Sequence, residues 1–262
     1  MNKDPAGMMG IIGCKLFEDE LAYLFSRDEG LEHLLIVENE ESKGLLRKLM
    51  VKEHRFTIDT IDEGSIPSLD VPGGFSIFLW IKPMALHQKP EKLREDIADS
   101  IRMVQDRCGV ILLFYGLCGN AFKRMDTMTE DISVPVIILR DHRGEVIDDC
   151  IGAVLGGTTE YYEQLKKSSG TFFLTPMWAE NWRELFHKVQ ILTDPNDIVG
   201  AKYVFDCVGY KNVIKLDTGL GNKEKFDQQI DEFATLFGFK KSVVNCTLKV
   251  VEASYDEARG RL

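Results

Sequence analysis

The chain has 262 residues and a formal net charge of −10 at pH 7, from 32 lysines and arginines against 42 aspartates and glutamates. A protein this acidic lacks the cationic surface that binds nucleic acid or an anionic membrane, so we expect neither as a partner. Its 44% hydrophobic content is typical of a globular protein and excludes a largely disordered chain. The length favours a single domain over residues 1–262 or two fused halves with a boundary near residues 157–170.

The sequence also restricts the cellular compartment. No apolar run reaches the roughly 18 residues of a membrane helix, and residues 1–5 lack the pattern of a signal peptide. We therefore expect a cytoplasmic protein whose six cysteines are thiols or ligands rather than disulfides. No two of them form a CxxC pair, so the zinc-ribbon and ferredoxin patterns are absent.

Short apolar runs alternate with longer amphipathic segments along the first half of the chain. Strands are predicted at residues 9–14, 34–37, 75–81, 110–115 and 134–139, and helices at 17–26, 42–52 and 91–107. The continuous apolar run at 110–115 is typical of a strand buried on both faces of a parallel sheet. Residues 65–74 are predicted to form a loop, and the acidic runs 18–20 and 38–41 to face solvent.

The alternation continues in the second half. Strands are predicted at 170–174, 213–216 and 243–251, and helices at 161–167, 178–190, about 195–207 and 223–237. The aromatic residues of 170–178 fit either a pocket wall or core packing, and the polar tail 253–262 is expected to fray. Together the elements predict an α/β fold with Rossmann-like parallel sheets and helices on both faces.

Three cysteines follow or adjoin predicted strand ends, where the ligands of α/β sheets gather. Cys14 closes the first strand, Cys118 follows the strand that ends at Tyr115, and Cys150 lies downstream of residue 139. Three thiols brought to one point would hold a metal ion or an iron–sulfur cluster with an open position. Burial as a small apolar side chain is the alternative for each. Packing roles are predicted for Cys108, Cys207 and Cys246.

The turn Gly116-Leu117-Cys118-Gly119-Asn120 supports a second interpretation of its cysteine. Glycines on both sides would let the backbone approach a ligand, and a helix starting near Asn120 would point its N–H dipoles at the thiol. Both features favour a reactive thiolate, with His142 or His87 as the candidate base. A tight turn that needs glycine only for its backbone is the simpler alternative.

Further candidates lie beside other predicted strands. His87 follows the strand that ends at Ile81 and is either a ligand, an acid–base group or a surface residue. Gly156 and Gly157 could seat a phosphate, although their spacing fits neither Walker A nor GxGxxG. Asp149 precedes Cys150 and is a candidate acid–base group.

Several segments together resemble a known family; they are Cys14, the runs LHQKPEKLR (86–94) and YGLCGN (115–120), Asp149-Cys150-Ile151, and GTFFLTPMW (170–178). The family is an uncharacterised prokaryotic domain of unknown function with a GLCGN motif. It is common in methanogenic archaea and anaerobic bacteria, and its genes often lie near corrinoid-dependent methyltransferases. The resemblance covers about residues 9–190. The family pattern Pro-Arg-x-His-Asp-Cys is interrupted here by residues 143–148, so Asp149 and Cys150 match it better than His142.

This resemblance implies a metal- or iron–sulfur-dependent protein of anaerobic one-carbon or methyl-transfer metabolism, including methanogenesis. Cys14, Cys118 and Cys150 would ligate zinc or an iron–sulfur cluster, with His87 or Asp149 as acid–base groups. The alternative is a non-catalytic accessory protein that binds a small ligand, or a corrinoid protein or methyltransferase, without a permanent metal. A third hypothesis is a metal-free enzyme with Cys118 as its nucleophile.

Overall fold

The computed structural model describes residues 7–51, 53–84, 89–188, 194 and 196–262. It divides into unit 1, Met1–Arg140 with Val251–Leu262, and unit 2, Asp141–Val250. The predicted boundary near residues 157–170 falls inside unit 2. Across the described ranges, no helix is both long and apolar enough to span a membrane.

Unit 1 is built on six strands and the helices that connect them. The strands are β1 (Met8–Cys14), β2 (His33–Val37), β3 (Thr57–Ile61), β4 (Ser76–Lys82), β5 (Val110–Phe114) and β6 (Val136–Ile138). The helices are α1 (Glu18–Arg27), α2 (Lys43–Met50), α3 (Pro90–Val104) and α4 (Met125–Met128), and a 3-10 helix spans Glu63–Ser68. All strand pairs are parallel, and their order is β3-β2-β4-β1-β5-β6. The predicted Rossmann-like α/β fold is therefore confirmed.

The strand order creates a crevice at the carboxyl edge of this sheet. The chain leaves β1 towards β2 on one side, whereas it leaves the neighbouring strand β5 towards β6 on the other side. Since β-α-β crossovers are right-handed, connections that run in opposite directions place their helices on opposite faces of the sheet. Ligands of open α/β sheets bind where such connections diverge. The carboxyl ends of β1 and β5 are thus the expected ligand site of unit 1.

Unit 2 has a smaller parallel sheet in the order β7-β8-β9, formed by β7 (Thr171–Leu174), β8 (Asn212–Asp217) and β9 (Lys240–Asn245). Its helices are α5 (Cys150–Leu155), α6 (Thr158–Lys167), α7 (Pro176–Lys188), α8 (Ile198–Val208) and α9 (Lys223–Phe237). The ring of Phe172 stacks on Tyr210 at 4.3 Å and packs edge-on against Phe205 at 4.8 Å. This aromatic residue of the 170–178 segment therefore packs in the core.

The last strand and the C-terminal tail differ from the prediction. The strand ends at Asn245, and helix α10 (Lys249–Arg259) replaces the expected fraying segment. Tyr255 is buried, and its hydroxyl donates a hydrogen bond to Asp28 over 2.8 Å. The guanidinium of Arg259 lies 3.4 Å from the centre of the Phe75 ring. The tail is ordered because its apolar face packs on unit 1, with which residues from Val251 onward are grouped.

Candidate functional site

Two of the three predicted cysteines lie at the crevice between β1 and β5. Cys14 is the last residue of β1, and the preceding Gly13 pairs with Phe114, the last residue of β5. Tyr115 follows at once, and Cys118 lies three residues further along the chain. Both thiols belong to unit 1 and are buried. The placement of these cysteines at strand ends agrees with the sequence prediction.

The environment of Cys14 keeps its thiol protonated. Burial raises the pKa of Cys14 to about 12, and the nearby carboxylates of Glu41 and Glu18 act in the same direction. At neutral pH the side chain is therefore a neutral thiol in the protein alone. The thiolate is the form that binds metals and attacks electrophiles, so burial disfavours both roles for Cys14, and a bound cation would favour the thiolate.

The turn that carries Cys118 has an unusual backbone. Three successive residues have positive φ angles: 45° at Cys118, 68° at Gly119 and 68° at Asn120. No helix starts at Asn120, and the next helix, α4, begins only at Met125. The predicted helix dipole at the Cys118 thiol is therefore wrong. A left-handed conformation costs about 1–2 kcal/mol at each non-glycine residue, and such strain clusters at functional sites.

Tyr115, the residue directly after β5, is a buried tyrosine that interacts electrostatically with Cys14 and Cys118. Its side chain is fully buried, and its ring lies 5.4 Å from that of Phe122. Burial raises the pKa of the Tyr115 phenol well above its ordinary value, and negative charge on Cys14 or Cys118 would raise it further. The sequence prediction read this tyrosine as part of an apolar strand and missed its hydroxyl. Its position directly after a buried strand was the available signal.

A buried lysine is a second group that sequence reasoning missed. Lys82 ends β4, where it pairs in register with Cys14 on the adjacent strand. Its ammonium lies 3.0 Å from both Asp96 Oδ2 and Ser100 Oγ, and 4.0 Å from the centre of the Trp80 ring. A lysine is almost never fully buried unless it is paired. The cation is thus fixed at the same sheet edge as the thiols.

The acidic run at the start of α1 is buried rather than solvated, which corrects the prediction. Glu18, Asp19 and Glu20 are all buried, as is Glu41 of the second acidic run. The Lys48 ammonium lies 3.2 Å from Glu18 and 2.8 Å from Asp19, and these carboxylates raise its pKa although burial lowers it. Burial raises the pKa of Glu20 to about 8, with Asp19 adding to the effect. The predicted exposure is wrong because the first turn of α1 packs inside unit 1.

In unit 2, Asp149 caps a helix. Its Oδ1 accepts hydrogen bonds from the backbone N–H groups of Ile151 (2.8 Å) and Gly152 (3.0 Å), which satisfies the first turn of α5. Burial raises the pKa of Asp149 to about 6, and the Gly152 N–H partly offsets this shift. Helix capping is sufficient to explain an aspartate at position 149. The acid–base role of Asp149 stays a prediction.

Cys150 begins α5 and is half-buried. The indole Nε1 of Trp178 lies 3.2 Å from its Sγ and donates to it, and the thiol packs against the cluster formed by Ile151, Phe173 and Ile214. These contacts lie within unit 2. The role of Cys150 as a third ligand stays a prediction.

The remaining candidates have varied surroundings. Gly156 ends α5 and Gly157 precedes α6, both with positive φ. A Cβ on Gly157 would meet the carboxylates of Asp141 and Glu160, so the charges around it do not favour a phosphate. Gly116 is buried, His142 is exposed, and His87 lies outside the described residues. Cys207, predicted to pack, is exposed on α8.

Within the described ranges, no group of three or more histidine, cysteine or acidic side chains is arranged to hold a metal ion. Unit 1 brings two thiols, one phenol and one buried lysine to the same edge of its sheet. The fold and this site define unit 1 as a Rossmann-like α/β module with a thiol-containing crevice.

A family model described as "Protein of unknown function (DUF1638)" matches residues 81–255, which is more than half of the chain. The protein belongs to this family. The match includes Cys118 and Cys150 but starts after Cys14, and it extends beyond the resemblance noted from the sequence, which ended near residue 190. No curated protein and no solved structure matches the chain.

Proposed function

We propose that the protein binds a metal ion or an iron–sulfur cluster through cysteine thiolates at the crevice of unit 1, and that it acts in anaerobic one-carbon or methyl-transfer metabolism. Cys118 and Cys14 are the proposed ligands in unit 1. The observation that carries the proposal is that Cys14 ends β1 and Cys118 follows β5, the two adjacent strands whose connections diverge. The metabolic setting and a cytoplasmic location come from the family resemblance and the sequence alone.

The two thiols of unit 1 supply part of the ligand set that a metal ion or an iron–sulfur cluster takes. A catalytic zinc site takes three protein ligands, and an iron–sulfur cluster takes four thiolates. Cys14 and Cys118 supply two soft sulfur donors, which favour zinc and iron over magnesium or calcium. A bound cation would supply Lewis-acid or redox chemistry and would hold the Cys14 thiol deprotonated. His87 and Cys150 are the other ligands that the sequence predicts.

A second candidate function is a non-catalytic accessory protein of a corrinoid methyltransferase system that holds no permanent metal. Two observations favour it. No three metal-binding side chains come together in the part of the chain that is described, and the burial that raises the pKa of Cys14 favours its neutral form over a thiolate ligand. In that case the same crevice would bind a small ligand or contact a corrinoid protein.

Anaerobic purification, elemental analysis for iron, zinc and cobalt, and an absorption spectrum test the metal proposal. We expect about one metal ion or cluster per chain in the wild type, and at least about a tenfold loss in Cys14→Ser and Cys118→Ser, since a hydroxyl replaces a thiolate ligand. Cys150→Ser tests the predicted third ligand. Cys207→Ser is the matched control, because this exposed thiol lies on α8 of unit 2.

Metal content that is unchanged in Cys118→Ser would show that the ligand hypothesis is wrong. Metal-free wild-type protein that captures a purified corrinoid protein would support the accessory function instead. Metal-free protein with one fast-reacting thiol, lost in Cys118→Ser, would favour the nucleophile hypothesis.

A further inference from the structure

A groove of about 490 Å³ lies on unit 1 between helix α3 and the segment around α4. Its volume is in the range of small-molecule sites. Three arginines line it: Arg94 and Arg102 from α3, and Arg124 from the residue before α4. A cluster of three guanidinium groups is notable in a chain with a net charge of −10.

The three arginines differ in how their charges are balanced. Arg102 is neutralised by two carboxylates, Asp131 at 2.7 Å and Asp99 at 3.0 Å. Arg94 and Arg124 form no ion pair with any side chain that the structure describes. Glu95 and Asp99 also line the groove, so its charged lining consists of three guanidinium groups and two carboxylates. An anion placed between Arg94 and Arg124 would supply the kind of partner that Asp131 and Asp99 supply to Arg102.

The rest of the groove combines apolar and polar contacts. Ala98 and Met128 line it and are both buried, so they form its apolar base. Thr127 adds a hydroxyl group, which donates to the Arg124 carbonyl over 3.0 Å. A ligand that fits must present an anionic group to the arginines and an apolar body to the base.

We propose that this groove binds a small phosphate monoester whose phosphate lies between Arg94 and Arg124 and whose organic part contacts Ala98 and Met128. A guanidinium group presents paired N–H donors that match phosphate oxygens, and two of them balance the charge of about −1.5 to −2 on a phosphate monoester at neutral pH. The proposal does not depend on the thiol site.

Calorimetric titration with phenyl phosphate at low ionic strength tests the site, with wild type, Arg94→Gln and Arg124→Gln compared. Each substitution removes charge-assisted hydrogen bonds, so we expect the affinity to fall by about tenfold or more. Arg55→Gln is the control, because Arg55 is exposed and paired with Glu29 at 3.3 Å, and it does not line the groove. Urea unfolding of each variant checks that the fold is intact.

Two further probes define the ligand class. Inorganic phosphate is expected to bind at least about threefold more weakly than phenyl phosphate, because it makes no contact with the apolar base. Phthalate, a dicarboxylate of similar size, is expected to bind more weakly as well. Equal binding of phthalate would overturn the phosphate assignment. Undetectable binding of phenyl phosphate, or equal affinity in the wild type and both arginine variants, would overturn the site.

Discussion

Replacing Gly170 with alanine is expected to destabilise unit 2 by at least about 3 kcal/mol. The residue precedes β7 with φ at 64°, where an L side chain is strained. An added Cβ would also overlap the carbonyl oxygen of Gly209 and lie 3.0 Å from its carbonyl carbon. The backbone cannot shift to relieve this contact, since the Gly170 carbonyl accepts the N–H groups of Lys211 (2.9 Å) and Asn212 (3.2 Å).

Gly209→Ala is the matched control for this prediction. Gly209 also has a positive φ, 83°, but a Cβ there meets no atom within 4 Å. Only the backbone strain of about 1 kcal/mol is then expected. Urea unfolding followed by tryptophan fluorescence measures both variants, and Trp178 and Trp182 report on unit 2. Equal destabilisation by the two substitutions would contradict the predicted overlap with Gly209.

Replacing Glu20 with glutamine is expected to stabilise the protein at alkaline pH and to have little effect at acidic pH. The pKa of Glu20 is raised from 4.5 to about 8 in the folded protein, so the folded state holds a proton that the unfolded state has lost. The wild type therefore loses stability as the pH rises from about 4.5 to about 8. A shift of this size corresponds to several kcal/mol, and glutamine, which does not ionise, avoids the loss.

Urea midpoints of the wild type and Glu20→Gln at about pH 5 and about pH 9 measure this effect. Glu53→Gln is the control, because Glu53 is exposed. A stability gain that is the same at both pH values would show that Glu20 does not titrate inside the folded protein.

The hydrophobic periodicity of the sequence was sufficient to predict most of the fold. Strands such as β5, with its continuous apolar run, and helices such as α9 are where the sequence places them, because their burial pattern is local. Strand β3 (Thr57–Ile61) was missed, since it lies at the edge of the sheet, where half-exposed polar residues hide the pattern. Helix α10 was missed because its polar residues outnumber the buried Val251 and Tyr255.

The sequence predicted the cysteines of the candidate site that lie at or just after the end of a predicted strand. Cys14 and Cys118 follow apolar runs, and the carboxyl ends of parallel strands meet at one edge of the sheet. The roles of Tyr115 and Lys82 were not predictable, because the burial of a phenol or an ammonium depends on partners distant in sequence, such as Asp96. The positive φ angle at Cys118 has no sequence signal, whereas Gly119 and Asn120 are residue types that adopt this conformation more readily.

The sequence by itself determined the class of fold, the parallel strands, and the position of two cysteines at strand ends, since each depends on patterns within about ten residues. Only the tertiary structure decided which charges are buried, as at Glu18 and Glu20, and which come together around a groove, as at Arg94 and Arg124. The physical reason is that desolvation and ion pairing depend on neighbours from several elements at once, and the strand order β3-β2-β4-β1-β5-β6 sets those neighbours.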